Sequence, residues 1–365
     1  MHSNLSRSLG AIVEPLLAWY EQNRRSLPWR LSPTPYHVWL SEIMLQQTRI
    51  EAVIPYYERF LSVYPTVAAL AAADDEQLMK LWEGLGYYSR ARNLKKAAVC
   101  IVEQHGGELP ADYAALRSLA GIGTYTAGAI ASIAFGLPEP AVDGNVLRVI
   151  TRLCADRADI TKETTKRRIT EQLREIYPQE PSGAAAMTQS LMELGERVCL
   201  PNGEPHCDAC PLGLLCQARA KGLIDDIPVR TPKKPRRIEP RTVFLIVADG
   251  KIALVKRPSH GLLAGLWEFP CAAEHMSERA AAALLTERGA RIRTLERTSD
   301  ATHIFTHIEW HMQGYIALCD RPFADWNGNE LTFVTRDELK SSYALPTAYR
   351  AYLRVLESLD FSSTP

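Results

Sequence analysis

The chain has 365 residues, 46% of them apolar and 23% charged, and its 42 basic residues balance 42 acidic ones. At roughly 150 residues per domain this length holds about two domains, and the composition excludes a disordered or collagen-like chain. A net charge of zero excludes a uniformly basic surface, so any face that meets nucleic acid must be local. The one apolar run near the start, Ala11 to Leu17, is broken by Glu14 and Pro15. It is too short for a signal peptide or a membrane span, and a cytoplasmic protein with no membrane partner is expected.

Apolar spacing near 3.6 residues predicts helices over 9–20, 37–64, 75–81, 91–105, 112–119, 125–135, 145–155, 166–177 and 184–198. Turn residues separate them, at Gly84 to Gly86, Gly106-Gly107, Leu137-Pro138 and Pro178. From Ile227 to Arg241 the chain carries four prolines and six basic residues, which predicts an extended linker over 227–240. The rhythm then changes. Strands are expected over 242–248 and 251–256 around Asp249-Gly250, a hairpin signal. An Ala-rich helix over 277–287, strands over 301–308, 309–318 and 331–334, and a closing helix over 347–358 complete an α+β second domain.

Three features carry chemistry. Four of the eight cysteines, Cys199, Cys207, Cys210 and Cys216, fall within eighteen residues. Four thiolates from one loop suit either tetrahedral zinc or a [4Fe–4S] cluster, and spacing does not choose between them. His206 is a possible but unnecessary further ligand. Cys100, Cys154, Cys271 and Cys319 lie in apolar surroundings and read as buried free thiols. Second, Gly121-Ile-Gly123 precedes an Ala-rich helical run. Exposed backbone N–H groups at a helix start grip a phosphate without charged side chains. Third, two carboxylates stand out. Glu42 sits among apolar neighbours, where burial favours the neutral acid. Asp143 precedes Gly144 and Asn145 at a helix start, where the dipole and N–H groups favour the charged form. Two carboxylates with opposed environments divide acid and charge-stabilising roles.

The glycine turn, the Asp143 segment and the cysteine quartet, in that order along the chain, resemble the helix-hairpin-helix DNA glycosylases of the endonuclease III superfamily, and most of all the MutY-type adenine DNA glycosylases. Leu27-Pro-Trp-Arg30, Ser41 to Thr48, Trp82 to Arg90 and Val142 to Arg148 carry the likeness, which extends over nearly the whole chain. The resemblance implies an all-α helix-hairpin-helix domain over 1–226 that includes an iron–sulfur loop with a [4Fe–4S] cluster on the four cysteines. It implies a linker over 227–240 and a Nudix-like α+β domain over 241–365. The gap between Cys199 and Cys207 is one residue longer than is usual in the family.

The implied activity is excision of adenine opposite 8-oxoguanine or guanine in duplex DNA, by a monomer. Glu42 would protonate the flipped adenine, most simply at N7, and Asp143 would stabilise the oxocarbenium-like sugar and place water. Tyr125 and Asn145 would hold Asp143 and the water. Tyr125 stands where bifunctional relatives carry the Schiff-base lysine, and a phenol forms no Schiff base, so a monofunctional enzyme is expected. Trp29 and Arg30 would line the adenine pocket and Gln189 would address the base edge. Gln47, Thr48, Leu85 and Tyr87 would probe the opposite base, with Phe305, Thr306 and His307 in the second domain standing at the family's Phe-Ser-His. The helix Ser277 to Arg288 lacks the glutamate cluster that holds magnesium in Nudix hydrolases, so no separate hydrolase activity is expected. The rival readings are a thymine-mismatch DNA glycosylase and a catalytically silent DNA-damage-binding protein.

Overall fold

The computed structural model describes residues 9–232 and 234–359. Residues 1–8, Lys233 and 360–365, which belong to the expected domains and linker, lie outside the described residues. The chain divides into two compact units, Met1–Ala72 with Arg92–Pro232, and Ala73–Ala91 with Lys233–Pro365. This differs from a boundary at 226, because residues 73–91 cluster with the C-terminal part.

The first unit is helical. One core is built by Leu16, Val146, Val149, Ile150, Leu173, Met187, Leu191 and Leu194, contributed by the helices Val13–Asn23, Gly144–Cys154, Glu163–Arg174 and Pro181–Arg197. The helix expected over 37–64 is two helices, Pro35–Leu45 and Ile50–Val63. The break comes where Gln47 takes a left-handed conformation, φ 58°, which no helix tolerates. Side-chain size governs how helices meet beside the site. A Cβ on Gly128 would stand 2.3 Å from the Pro140 carbonyl oxygen, and one on Gly195 would stand 2.6 Å from Asn145 Cβ. Glycine therefore lets the strand-like approach to Asp143 lie flat on the helix Thr124–Phe135, and brings the helix Pro181–Arg197 against Asn145.

The second unit holds an eight-stranded sheet whose main path runs β5-β6-β1-β2-β8-β7, with β3 paired to β2 and β4 to β1. The strands are β1 Arg237–Ala248, β2 Lys251–Lys256, β3 Trp267–Glu268, β4 Cys271–Ala272, β5 Ile292–Ile304, β6 Ile308–Cys319, β7 Asp325–Trp326 and β8 Asn329–Val334. β1 and β6 are parallel, and β1 and β2 form the expected hairpin. Asp249 and Gly250 both have positive φ, 50° and 69°, as a two-residue hairpin turn requires. Alternate β1 residues face two cores. Val243, Leu245 and Val247 pack with Tyr349, Tyr352 and Leu356 of the C-terminal helical segment, while Phe244 and Ile246 pack with Ala281 and Leu285 of the helix Glu278–Glu287. Burial on both faces explains why the strand is an unbroken apolar run from Val243 to Ala248.

Three expectations change here. The last third of the expected linker is strand: Arg237 to Pro240 pair in register with Ile308 to His311. Pro240 is accommodated because β2 reaches only Val247 and Ala248 of β1, leaving the other side of the strand open at that point. β5 begins at Ile292 rather than near 301. Of the isolated cysteines only Cys319 is buried, while Cys100, Cys154 and Cys271 are half-buried, and all are free thiols.

The segment 73–91 joins this unit through polar contacts. Lys80 Nζ donates to the carbonyls of Tyr343 at 3.0 Å and Leu339 at 3.3 Å. Trp267 Nε1 donates to Glu76 at 2.9 Å and Lys256 pairs with the same carboxylate. Glu83 accepts from the Leu345 amide at 2.8 Å.

Candidate active site

One pocket in the first unit is lined by Trp29, Arg30, Glu42, Thr48, Tyr125, Asp143, Asn145 and Gln189. Eight of the expected site residues, scattered over more than 150 positions of sequence, therefore face one space. Glu42 projects from the helix Pro35–Leu45 and is 6% exposed. The Tyr125 hydroxyl donates to its Oε2 at 2.6 Å. Burial pushes the Glu42 carboxyl up to about 7, with the neighbouring Asp143 also raising it and the Tyr125 hydrogen bond and the Arg30 charge opposing. Tyr125 thus serves Glu42, where the sequence pointed to Asp143 as its partner.

Asp143 caps the helix Gly144–Cys154, and its Oδ1 accepts from the Val146 amide at 2.8 Å. Its Oδ2 accepts from Asn145 Nδ2 at 2.9 Å. The expectation of a carboxyl held in its charged form is corrected in direction. Loss of water around the group raises its pKa, and this outweighs the hydrogen bonds from Val146 and Asn145 and the charge of Arg148, all of which lower it. Asn145 is itself fixed, because Arg148 Nη2 donates to its Oδ1 at 2.8 Å. The same buried guanidinium reaches the Gly195 carbonyl at 2.7 Å and the Cys199 carbonyl at 2.8 Å. One arginine therefore joins the support of Asp143 to the backbone of the first clustered cysteine. Sequence reasoning missed this residue, although its place one helical turn beyond Asn145 was a usable signal.

At the pocket wall Trp29 is buried edge-on against Tyr57, with ring centroids 5.4 Å apart. Gln189 Nε2 donates to the Ala185 carbonyl at 3.3 Å. Gln47 is exposed and lies outside the lining, on the left-handed turn before Thr48. Gly121 and Gly123 form an exposed turn before the helix Thr124–Phe135. Gly121 has φ 77°, and a Cβ there would meet Asn93 Cβ at 2.8 Å.

The residues expected to read the opposite base from 85–87 and 305–307 all fall in the second unit. Tyr87 is exposed, left-handed at φ 48°, and its hydroxyl lies 3.3 Å from Thr306 Oγ1. A non-glycine residue in this region stores about 1–2 kcal/mol of strain, a cost associated with functional turns. Leu85 is buried, and its carbonyl accepts from Arg90 at 3.0 Å. Phe305 packs edge-on against Trp310 at 4.8 Å, whereas Thr306 and His307 are exposed.

Cys199, Cys207, Cys210 and Cys216 line a second cavity, walled by Val149, Leu153, Leu194, Val198 and Leu212. All four are free thiols. Among the described residues no three of His, Cys, Asp and Glu approach closely enough to share one metal ion. Arg152 Nη1 donates toward Cys199 Sγ at 3.3 Å. His206 is exposed and outside the lining.

Residues 40–175 match the HhH-GPD superfamily of base excision DNA repair proteins, and residues 242–355 match the NUDIX domain. The adenine DNA glycosylase of Rattus norvegicus is 35% identical over 94% of this chain and 77% of its own length. The adenine DNA glycosylase of Homo sapiens is 34% identical over 94% of this chain and 73% of its own length. The chain belongs to the adenine DNA glycosylase family. A thermostable thymine-DNA glycosylase is similar in structure over 60% of this chain and all of its own, with a TM-score of 0.54 and 26% identity. Endonuclease III trapped in a covalent complex with DNA covers the same share of this chain with a TM-score of 0.50 at 24% identity, a likeness of fold.

Proposed function

We propose that this member of the family acts as a monomer and hydrolyses the N-glycosidic bond of adenine mispaired with 8-oxoguanine or guanine in duplex DNA. The observation that carries the reading is the pairing of Glu42 and Asp143 in one pocket, with Glu42 raised to about 7. A carboxyl with that pKa keeps a proton to give near neutral pH. Glu42 donates its proton to N7 of the flipped adenine, so the base leaves neutral. The Asp143 carboxylate stabilises the positive charge that grows on the sugar, and water adds at the anomeric carbon, its proton returning to the Glu42 carboxylate, to leave an abasic site. The gain in charge on the sugar strengthens its attraction to Asp143 in the transition state more than in the bound substrate. Tyr125 holds the acid through its 2.6 Å hydrogen bond and offers no amine for Schiff-base capture, so strand scission does not follow excision. Trp29, Arg30 and Gln189 hold the base, the Gly121–Gly123 turn grips a phosphate, and Gln47, Thr48, Leu85, Tyr87 and Phe305 to His307 read the opposite base.

The cysteine cavity fits a [4Fe–4S] cluster: four unbridged thiols ring one space, its walls are apolar, and Arg152 supplies a charged donor to a sulfur. Bound by Cys199, Cys207, Cys210 and Cys216, the cluster would cross-link that loop and fix its shape. A thymine-mismatch specificity is the second reading, favoured by the structural likeness to the thymine-DNA glycosylase, which covers only 60% of this chain. The NUDIX-matching residues 242–355 favour the adenine reading. Single-turnover assays on duplexes with adenine opposite 8-oxoguanine, adenine opposite guanine and thymine opposite guanine decide between them. Excision of adenine fastest opposite 8-oxoguanine supports the proposal, and release of thymine alone overturns it.

A further inference from the structure

Glu193, on the helix Pro181–Arg197, is a fully buried carboxylate outside the pocket lining. Three arginines face it. Arg25 Nε donates to both of its oxygens at 3.0 Å, Arg30 Nη1 donates to Oε1 at 2.6 Å, and Arg197 Nη1 stands 3.9 Å from Oε2. Arg25 extends further, from Nη2 to Glu196 Oε2 at 2.5 Å. Arg30 and Glu196 line the pocket that contains Glu42 and Asp143. A buried ion cluster of this kind is poor value as mere packing, because an apolar side chain of similar size fills such a space as well or better. Its place behind Arg30, a cationic side chain that lines the pocket, gives it another use.

With Glu42 as the acid, we propose that Glu193 is a positioning residue that fixes the Arg30 guanidinium at the wall of the adenine pocket and offsets its charge, so that Glu42 keeps its proton. The charged and titratable groups that face Glu42 come from three elements. They are Tyr125 on the helix Thr124–Phe135, Asp143 at the start of Gly144–Cys154, and Arg30 on the short helix Pro28–Leu31. The helix Pro181–Arg197 adds Glu193 and Glu196, which act through Arg30 and Arg25. Arg30 is the positive member of this set, and its field draws the proton off Glu42. Glu193 accepts from Arg30 at 2.6 Å, so its negative charge sits against that guanidinium and opposes its field. Arg25, whose Nε is shared between both Glu193 oxygens and whose Nη2 goes to Glu196, holds Glu193 in place, and Arg30 is held in turn through Nη1, which donates to Glu193 Oε1 and to the Arg25 carbonyl.

The test is the pH profile of single-turnover adenine excision by the full chain. Glu193→Gln removes the offsetting charge while keeping the shape, so the alkaline limb should move toward lower pH by about one unit. Arg30→Gln should move it toward higher pH, and the double variant should follow Arg30→Gln with no acidward shift. Glu193→Asp keeps the charge and should keep the limb close to the wild-type position even if the protein melts lower. A residue that only supports the fold would lower melting and the plateau rate without moving the limb. If Glu193→Gln leaves the limb in place, or if Arg30→Gln fails to raise it, the proposal is overturned. The second arm decides even where Glu193→Gln does not fold. A wild-type profile with no alkaline limb, or full activity in Glu42→Gln, would instead overturn Glu42 as the acid.

Discussion

Replacement of Arg148 tests whether one side chain holds the two halves of the site together. The residue is 2% exposed, and its guanidinium serves the Asn145 side chain and the carbonyls of Gly195 and Cys199, at 2.7–2.8 Å. Arg148→Ala strands three acceptors away from water. At about 1–3 kcal/mol for each unsatisfied buried group, with partial relief as water enters, a loss of about 3 kcal/mol is expected. For a unit of this size that lowers the melting temperature by about 6–12 °C. Asn145 also loses the bond that aims its amide at Asp143, so the excision rate should fall about 100-fold, the scale of effect that a misplaced catalytic group produces. Arg148→Lys supplies charge at one point but cannot span three acceptors, and should recover less than half of either loss. Thermal melting read in the helical signal, paired with single-turnover excision below the melting range, checks both numbers. A lysine variant equal to wild type in melting and rate would refute the bridging role, as would an alanine variant that melts low but cuts at full rate.

Other expectations follow from the same contacts. With Glu42 as the acid, raised to about 7, the wild-type rate should fall about tenfold per unit well above that pH, while Glu42→Gln should lose about 10²–10⁴ in rate together with this limb; a rate that keeps rising above that pH contradicts the acid role, whereas a rise at lower pH reports ionisation of Asp143, whose pKa burial raises. Glu76→Ala with Glu83→Ala removes the acceptors for Trp267, Lys256 and the Leu345 amide. Hydrogen exchange in residues 75–82 should then speed up, and the preference for 8-oxoguanine over guanine should narrow; unchanged protection would contradict the anchoring of this segment by those contacts. The purified protein should be coloured, with iron and sulfide in equal amounts, and removal of the iron should lower melting. A colourless protein with one zinc per chain would sink the cluster.

Much of the fold could be read from local signals. The Asp249-Gly250 hairpin, the cap at Asp143 and the cysteine spacing each depend on a few adjacent residues, and the structure has the hairpin and the cap at the expected positions and brings the four thiols around one cavity. What was illegible depends on contacts distant in sequence. The break at Gln47 looks like continuous amphipathic helix until the turn conformation is known. β5 from Ile292 has half-buried positions separated mostly by pairs of exposed ones, and its register shifts twice, so it carries no two-residue hydrophobic rhythm and its pairing with β6 defines it. Glu193 meets Arg25 across 168 positions, and only the shared face of Gln189, Glu193 and Glu196 hinted at it. The charge state of Asp143 followed from its helix cap in the sequence, but the solvent lost around it is a tertiary property and reverses the direction of the shift. The segment 73–91 reads as one more helix-and-turn of the first domain, but it belongs to the second compact unit, which Glu76, Lys80 and Glu83 contact.

The most direct test of the two-carboxylate site is single-turnover cutting of a duplex with adenine opposite 8-oxoguanine, read with and without hot alkali. Wild type should release adenine and yield strand breaks only after alkali, while Asp143→Asn should keep DNA binding and lose at least about 100-fold in rate. Full activity in Asp143→Asn, or strand breaks without alkali in the wild type, would contradict the mechanism.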